Sequence, residues 1–118
     1  MPVIALLSDF GRQDAYVGIM KGVILGRCPE ARMVDLCHEV APGDVRAAAF
    51  HLRAALAYFP KGTLFVCLVD PGVGSKREIV FVRGKRHRYL APDNGLLGPA
   101  LELDEPLESR LLRNPSLR

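Results

Sequence analysis

Thr63-Leu64-Phe65-Val66-Cys67-Leu68-Val69 is an apolar run rich in β-branched and aromatic residues, and it stops abruptly at Asp70-Pro71-Gly72-Val73-Gly74-Ser75-Lys76-Arg77. An apolar run of strand length with no polar alternation reads as a strand buried on both faces, the pattern of the middle of a parallel sheet. Pro71 fixes one φ, while Gly72 and Gly74 open conformations closed to other residues, so the chain can turn sharply and let a ligand approach its backbone. Asp70 therefore belongs at the carboxyl end of a central strand, where open α/β sheets bind their ligands. Arg77 follows closely enough for a tight loop to return it beside the acid. The plainer reading is that Asp70 caps a turn and Arg77 is a solvated charge, since Asp, Pro and Gly are ordinary turn residues.

Outward from this stretch the pattern is α/β. Val3-Ile4-Ala5-Leu6-Leu7 reads as a first strand, ending in the polar turn Ser8-Asp9-Phe10-Gly11-Arg12-Gln13-Asp14. From Ala15 to about Arg27 the apolar positions Val17, Met20, Val23 and Ile24 recur at helical spacing, with Pro29 just past the end. Met33–Leu36 is a short second strand. Gly43-Asp44 offers an N-cap to an alanine-rich helix over Val45–Phe59, closed by Pro60 and Gly62. Ile79–Val82 and His87–Ala91 read as two antiparallel strands around a basic tip, followed by the turn Pro92-Asp93-Asn94-Gly95 and a short apolar segment through Leu103. The tail from Leu107 carries no clear pattern. The expected fold is a Rossmann-like, mostly parallel sheet flanked by helices, with an antiparallel hairpin near residues 79–91.

Composition narrows the function classes. At 118 residues the chain is one domain, at the small end for a doubly wound sheet. Its 49% hydrophobic and 25% charged residues are ordinary for a soluble globular protein. The net charge of +3 is too mild to argue for nucleic acid. The basic cluster Arg83-Gly84-Lys85-Arg86-His87-Arg88 reads as an exposed hairpin tip, without the interleaved aromatics of a single-strand binding platform. Cys28, Cys37 and Cys67 form no C-x-x-C pair and no disulfide framework. Cys67 reads as a small core residue, and Cys37-His38 has no second cluster with which to hold zinc. Met1–Leu7 lacks a basic leader and meets Asp9 too soon for a signal peptide or a membrane span, so a cytoplasmic setting is expected.

Two strands thus end in acids, Asp9 and Asp70, and in a parallel sheet both emerge at one edge. Paired carboxylates there can hold the two hydroxyls of a ribose, or position a water. The chain has no G-x-G-x-x-G, no G-x-x-x-x-G-K-[ST] and no serine in a nucleophile elbow. The pattern points to a nucleoside-type ligand without a polyphosphate.

Four motifs then appear in order. They are Ser8-Asp9-Phe10-Gly11 with Asp14-Ala15-Tyr16-Val17-Gly18, Val34-Asp35-Leu36-Cys37-His38-Glu39-Val40, Val69-Asp70-Pro71-Gly72-Val73-Gly74 with Arg77, and Ala91-Pro92-Asp93-Asn94-Gly95-Leu96-Leu97. Together they resemble the amino-terminal domain of the S-adenosylmethionine hydroxide adenosyltransferases, or S-adenosylmethionine hydrolases, relatives of the fluorinases and chlorinases. The resemblance covers almost the whole of residues 1–118. It implies that Asp9 binds the ribose hydroxyls and that Asp14 and Tyr16 face the methionine end. It implies that Asp70 and Arg77 belong to a catalytic trio of Asp, Arg and His that positions and activates water. The implied reaction is attack of water or hydroxide on the ribose 5′ carbon, releasing L-methionine and adenosine, with no metal and no cofactor beyond S-adenosylmethionine as substrate.

The halogenating relatives carry tyrosine where this chain has Asp70 and threonine where it has Val73, so the resemblance places this sequence on the water side. In the family the catalytic histidine lies in a Thr-Phe-His-Gly-Arg-Asp type motif beyond the position of Arg118, followed by a β-barrel domain that grips adenine. Neither is in these residues, so the chain is expected to be part of a longer enzyme. His38, His51 and His87 do not match that histidine. His38 is expected to pack or hydrogen-bond near the end of the second strand. The resemblance also implies a homotrimer with pockets between subunits, and no nucleic-acid or membrane partner. Two other classes stand beside the hydrolase: a module that binds S-adenosylmethionine or adenosine, or assembles, without turnover, and a small basic RNA-binding domain using residues 83–88.

Overall fold

In the computed structural model, which describes residues 3–71 and 78–112, the apolar run forms an interior strand of a six-stranded sheet. The strands are β1 (Val3–Ser8), β2 (Arg32–Cys37), β3 (Leu64–Leu68), β4 (Ile79–Gly84), β5 (Arg88–Pro92) and β6 (Pro106–Leu112). Their order across the sheet is β2-β1-β3-β5-β4-β6. The pairs β1–β2, β1–β3 and β3–β5 are parallel, while β4 pairs antiparallel with both β5 and β6. The sheet is therefore mostly parallel with an antiparallel hairpin, as the sequence implies.

Three helices complete the chain's described elements: α1 (Tyr16–Arg27), α2 (Val45–Ala55) and α3 (Gly98–Leu103). Side chains of successive strand residues point to opposite faces, and here both faces are covered. On one, Ala5, Leu7, Phe65, Cys67 and Val69 pack with Ala48, Leu52 and Ala55 of α2 and Ala100 of α3. On the other, Ile4, Leu6 and Val66 pack beneath Met20 and Ile24 of α1. The second layer is thin. No residue of α1 is fully buried, and Val23, expected on its apolar face, is 62% exposed just outside the arc of Met20 and Ile24.

Asp44 caps α2 as its position predicts, its Oδ1 accepting the Ala47 amide at 3.0 Å. The helix is shorter than the sequence implies, tightening after Ala55 into a 3-10 turn over Leu56–Tyr58. The last carbonyls of a helix lack intrahelical partners. Here the hairpin tip supplies them: His87 Nε2 lies 2.8 Å from the Leu56 carbonyl oxygen, and Arg86 donates to the Phe59 carbonyl at 3.0 Å.

That role reshapes the basic cluster. Lys85 and Arg86 are exposed, but His87 is buried, so the tip is not simply solvated as expected. Its cations have partners within the fold. Arg83 meets Glu108, Lys85 meets Glu105, and Arg88 donates to the Gly62 carbonyl. Beneath them Asp104 accepts the Arg86 and His87 amides at 2.8 and 2.9 Å and the Tyr89 hydroxyl at 2.6 Å. Burial alone would raise the Asp104 carboxyl, but these donors together hold it below its ordinary range. Burial, with Asp104 alongside, pushes the Tyr89 phenol up.

The tail beyond Asp104 forms β6 on the sheet edge, where most residues are exposed. Among the described residues no helix is long and apolar enough to cross a membrane.

Candidate active site

The chain leaves β1 through α1 toward β2 on one side, then crosses by α2 to β3 on the other side of β1. Strand order reverses between β1 and β3, and the carboxyl ends of the strands at such a switch point are where open α/β sheets bind their ligands. Ser8 pairs in register with Leu68, so Asp9 and Asp70 emerge side by side at this edge. Both are partly exposed. Because β5 runs parallel to β3, the Asp93-Asn94 turn reaches the same edge. The basic hairpin tip lies at the opposite edge.

Gly43, which the sequence offers only as the approach to an N-cap, joins the two acid-bearing loops. Its amide donates to Asp9 Oδ2 at 2.7 Å. Its φ is +73°, and a Cβ placed there would lie 2.9 Å from the Pro71 Cα. Only glycine fits both the conformation and the approach. Asn94 holds the base of the other loop, donating from Nδ2 to the Val69 carbonyl at 2.9 Å while its Oδ1 accepts the Leu96 amide.

The Asp9 turn is tied from beneath as well. Ser8 Oγ, fully buried, lies 2.6 Å from His38 Nδ1, and His38 Nε2 lies 2.9 Å from Asp35 Oδ1. Lys21 donates to Asp35 Oδ2 at 2.7 Å. That bond to Lys21, aided by His38, holds the Asp35 carboxyl below its ordinary range against a smaller opposing effect of burial. The Phe10 amide reaches Ser8 Oγ at 3.3 Å, and the Gly11 amide donates to the His38 carbonyl at 2.8 Å. His38 thus hydrogen-bonds near the end of the second strand, as expected, with both ring nitrogens engaged.

Asp14 and Tyr16 stand at the head of α1, on the same edge as Asp9. Both are exposed, and the Tyr16 ring lies 6.3 Å from Phe10. Arg77 lies outside the described residues, as do Gly72, Val73 and Gly74. Cys67 is a core residue, its thiol pushed up to about 12 by burial. Among the described residues no three His, Cys, Asp or Glu side chains gather as metal ligands. A groove of about 430 Å³ between α2 and α3 is lined in part by Arg46, Phe50, Arg53 and Asn94, the last from the same edge as the acids. The converging acids, rather than this groove, carry the recognisable chemistry.

The profile of the SAM hydroxide adenosyltransferase N-terminal domain matches residues 4–116. The chain belongs to this family. It is 44% identical over 118 residues to the (R)-S-adenosyl-L-methionine hydrolase of Thermus thermophilus, covering 100% of this chain and 46% of that protein. Against the fluorinase of Nocardia brasiliensis it is 30% identical over 139 residues, covering 98% of this chain and 46% of that protein. The crystal structure of a conserved hypothetical protein from Thermus thermophilus superposes with a TM-score of 0.89 at 44% identity, covering 99% of this chain and 49% of that one. The chain spans about half the length of the curated relatives it matches.

Proposed function

We propose that this chain is the amino-terminal domain of an enzyme that hydrolyses S-adenosyl-L-methionine to adenosine and L-methionine. The observation that carries this reading is the emergence of Asp9 and Asp70 from adjacent parallel strands at the switch point, their loops joined through Gly43. In this reading Asp9 accepts hydrogen bonds from the ribose hydroxyls, leaving the sugar's 5′ carbon over the Asp70 loop. Asp14 and Tyr16 flank the methionine end. Asp70 and Arg77 together orient the attacking water, and the guanidinium keeps its proton throughout.

The chemistry asks little more of the protein. A sulfonium is a good leaving group, so the dominant task is to align a desolvated oxygen nucleophile in line with the breaking C–S bond. As the water oxygen bonds to the 5′ carbon the C–S electron pair departs with methionine as its neutral thioether, and the water's extra proton is released to solvent. A carboxylate at position 70 repels halide and favours water. S-adenosylmethionine is the substrate, with no cofactor beyond it, and a carboxy-terminal β-barrel domain would grip the adenine.

We further propose a homotrimer in a reducing, cytoplasmic setting. Its support is the apolar surface of α1, where Tyr16, Ile19 and Val23 are each more than half exposed, together with three free thiols. Nucleic acid is the weaker alternative, because the basic tip is engaged within the fold and lies away from the acids. Incubation with S-adenosylmethionine, followed by chromatography of adenosine and methionine, tests the function. Equal amounts of both products, lost in Asp70→Asn, are expected. Adenosine formed equally by Asp70→Asn would remove Asp70 from the mechanism.

A further inference from the structure

We infer that His38 is a positioning residue for Asp9, acting through a one-way chain of hydrogen bonds, Lys21–Asp35–His38–Ser8, that fixes the turn carrying the acid. The inference rests on the reading of Asp9 as the ribose ligand, but its structural half stands without any ligand.

The direction of the chain follows from what each group can donate. The Asp35 carboxyl is held ionised by Lys21, so both its oxygens only accept. His38 Nε2, 2.9 Å from Oδ1, must therefore carry the hydrogen. Where Nε2 carries the ring's one hydrogen, Nδ1 is an acceptor, and across 2.6 Å the Ser8 hydroxyl donates to it. With its hydrogen so directed, Ser8 Oγ turns its lone pairs outward, and one meets the Phe10 amide at 3.3 Å. The His38 carbonyl takes the next amide, Gly11, at 2.8 Å. Two consecutive amides just after Asp9 are thus held by one buried histidine, one of them through Ser8. Asp9 itself is steadied from the other side by the Gly43 amide.

A Ser-His-Asp arrangement invites a different reading, that of a nucleophilic serine. Burial decides against it. Ser8 has no exposed surface, and its oxygen lies between a ring nitrogen and a backbone amide, so no substrate atom can reach it. The same constellation that activates a nucleophile at a surface serves, beneath a strand end, to lock a turn.

The test uses the chain labelled with ¹⁵N. The native protein should show the His38 ring as the neutral tautomer with hydrogen on Nε2, and slow exchange at the Phe10 and Gly11 amides. Adenosine, added as the probe, should move the His38 Nδ1 resonance, which a purely structural histidine would not do. In Ser8→Ala the Nδ1 signal should shift, exchange at Phe10 and Gly11 should accelerate, and adenosine affinity should fall about tenfold, the scale of one hydrogen bond. Amides of β4 and β5 should keep their protection, showing that the fold survives. His38→Gln, which cannot keep the ring geometry, should reproduce the loss of affinity.

Hydrogen on Nδ1, or unchanged exchange at Phe10 and Gly11 in Ser8→Ala, would overturn the lock. An unmoved Nδ1 resonance on saturation with adenosine would overturn the link from His38 to the ligand. Adenosine affinity of the whole enzyme left unchanged by Asp9→Asn, while the tautomer and exchange results hold, would instead overturn the ribose reading of Asp9 and leave the lock in place.

Discussion

The Gly43 amide donates to Asp9 Oδ2 across 2.7 Å, and the glycine's open side lies against Pro71. One residue of the β2–α2 loop thereby sets the spacing between the loops that follow β1 and β3. A methyl group at this position must push on Pro71 backbone and sit at a positive φ. Gly43→Ala should therefore cost about 1–3 kcal/mol of stability. It should also weaken adenosine binding about tenfold or more, as the acids are moved apart. Urea unfolding and calorimetry check the two effects separately, and wild-type affinity in Gly43→Ala would show that the spacing does not matter.

Acid should loosen the hairpin end of the sheet. Burial holds His87 below its ordinary 6.5, and the donors around Asp104 hold that carboxyl below its ordinary 3.8. In both cases the unfolded chain binds the proton more readily, so stability rises with pH. His87 contributes fully above 6.5, and its contribution is lost as pH falls from there toward its lower folded value. Asp104 contributes fully above 3.8 and loses its contribution below it. Urea midpoints should fall steadily from pH 7 to pH 3. Asp104→Asn should cost about 1–3 kcal/mol at pH 7, through its mismatched amide and lost charge-assisted bonds, and should flatten the most acidic part of the profile. Midpoints independent of pH would contradict this.

The two faces of the sheet should answer differently to truncation. Leu52, with no exposed surface, fills the layer between β3 and α2, and Leu52→Ala should cost about 2–5 kcal/mol. Val23→Ala on α1 should stay within about 0.5 kcal/mol in the monomer. Val23→Asp should lower self-association in sedimentation if the α1 face joins copies of the chain, and unchanged association would remove that face from the interface.

How much of this was legible in the sequence depends on the kind of signal. β1 and β3 announce themselves because both are apolar on both faces, and each is followed by an acid, so the edge at which Asp9 and Asp70 meet can be read directly. β6 cannot, because an exposed edge strand has no buried face to impose a pattern on residues 106–112. The early end of α2 depends on His87 and Arg86, some thirty residues away, and nothing local marks it. Ser8, Asp35 and Gly43 are similar cases. Each sits within or beside a readable element, but its purpose is a contact with a distant loop. The Asp35-Leu36-Cys37-His38 spacing was visible, whereas its pairing with Ser8 required the register of β1 on β2.

The most direct test of the central claim is the fate of solvent oxygen. The chain is incubated with S-adenosylmethionine in ¹⁸O-labelled water, and the products are weighed by mass spectrometry. Attack at the ribose 5′ carbon predicts one labelled oxygen in adenosine and none in methionine, with the signal absent from Asp70→Asn. Unlabelled adenosine, or adenosine formed as fast by Asp70→Asn as by the native protein, would contradict hydrolysis at this edge of the sheet.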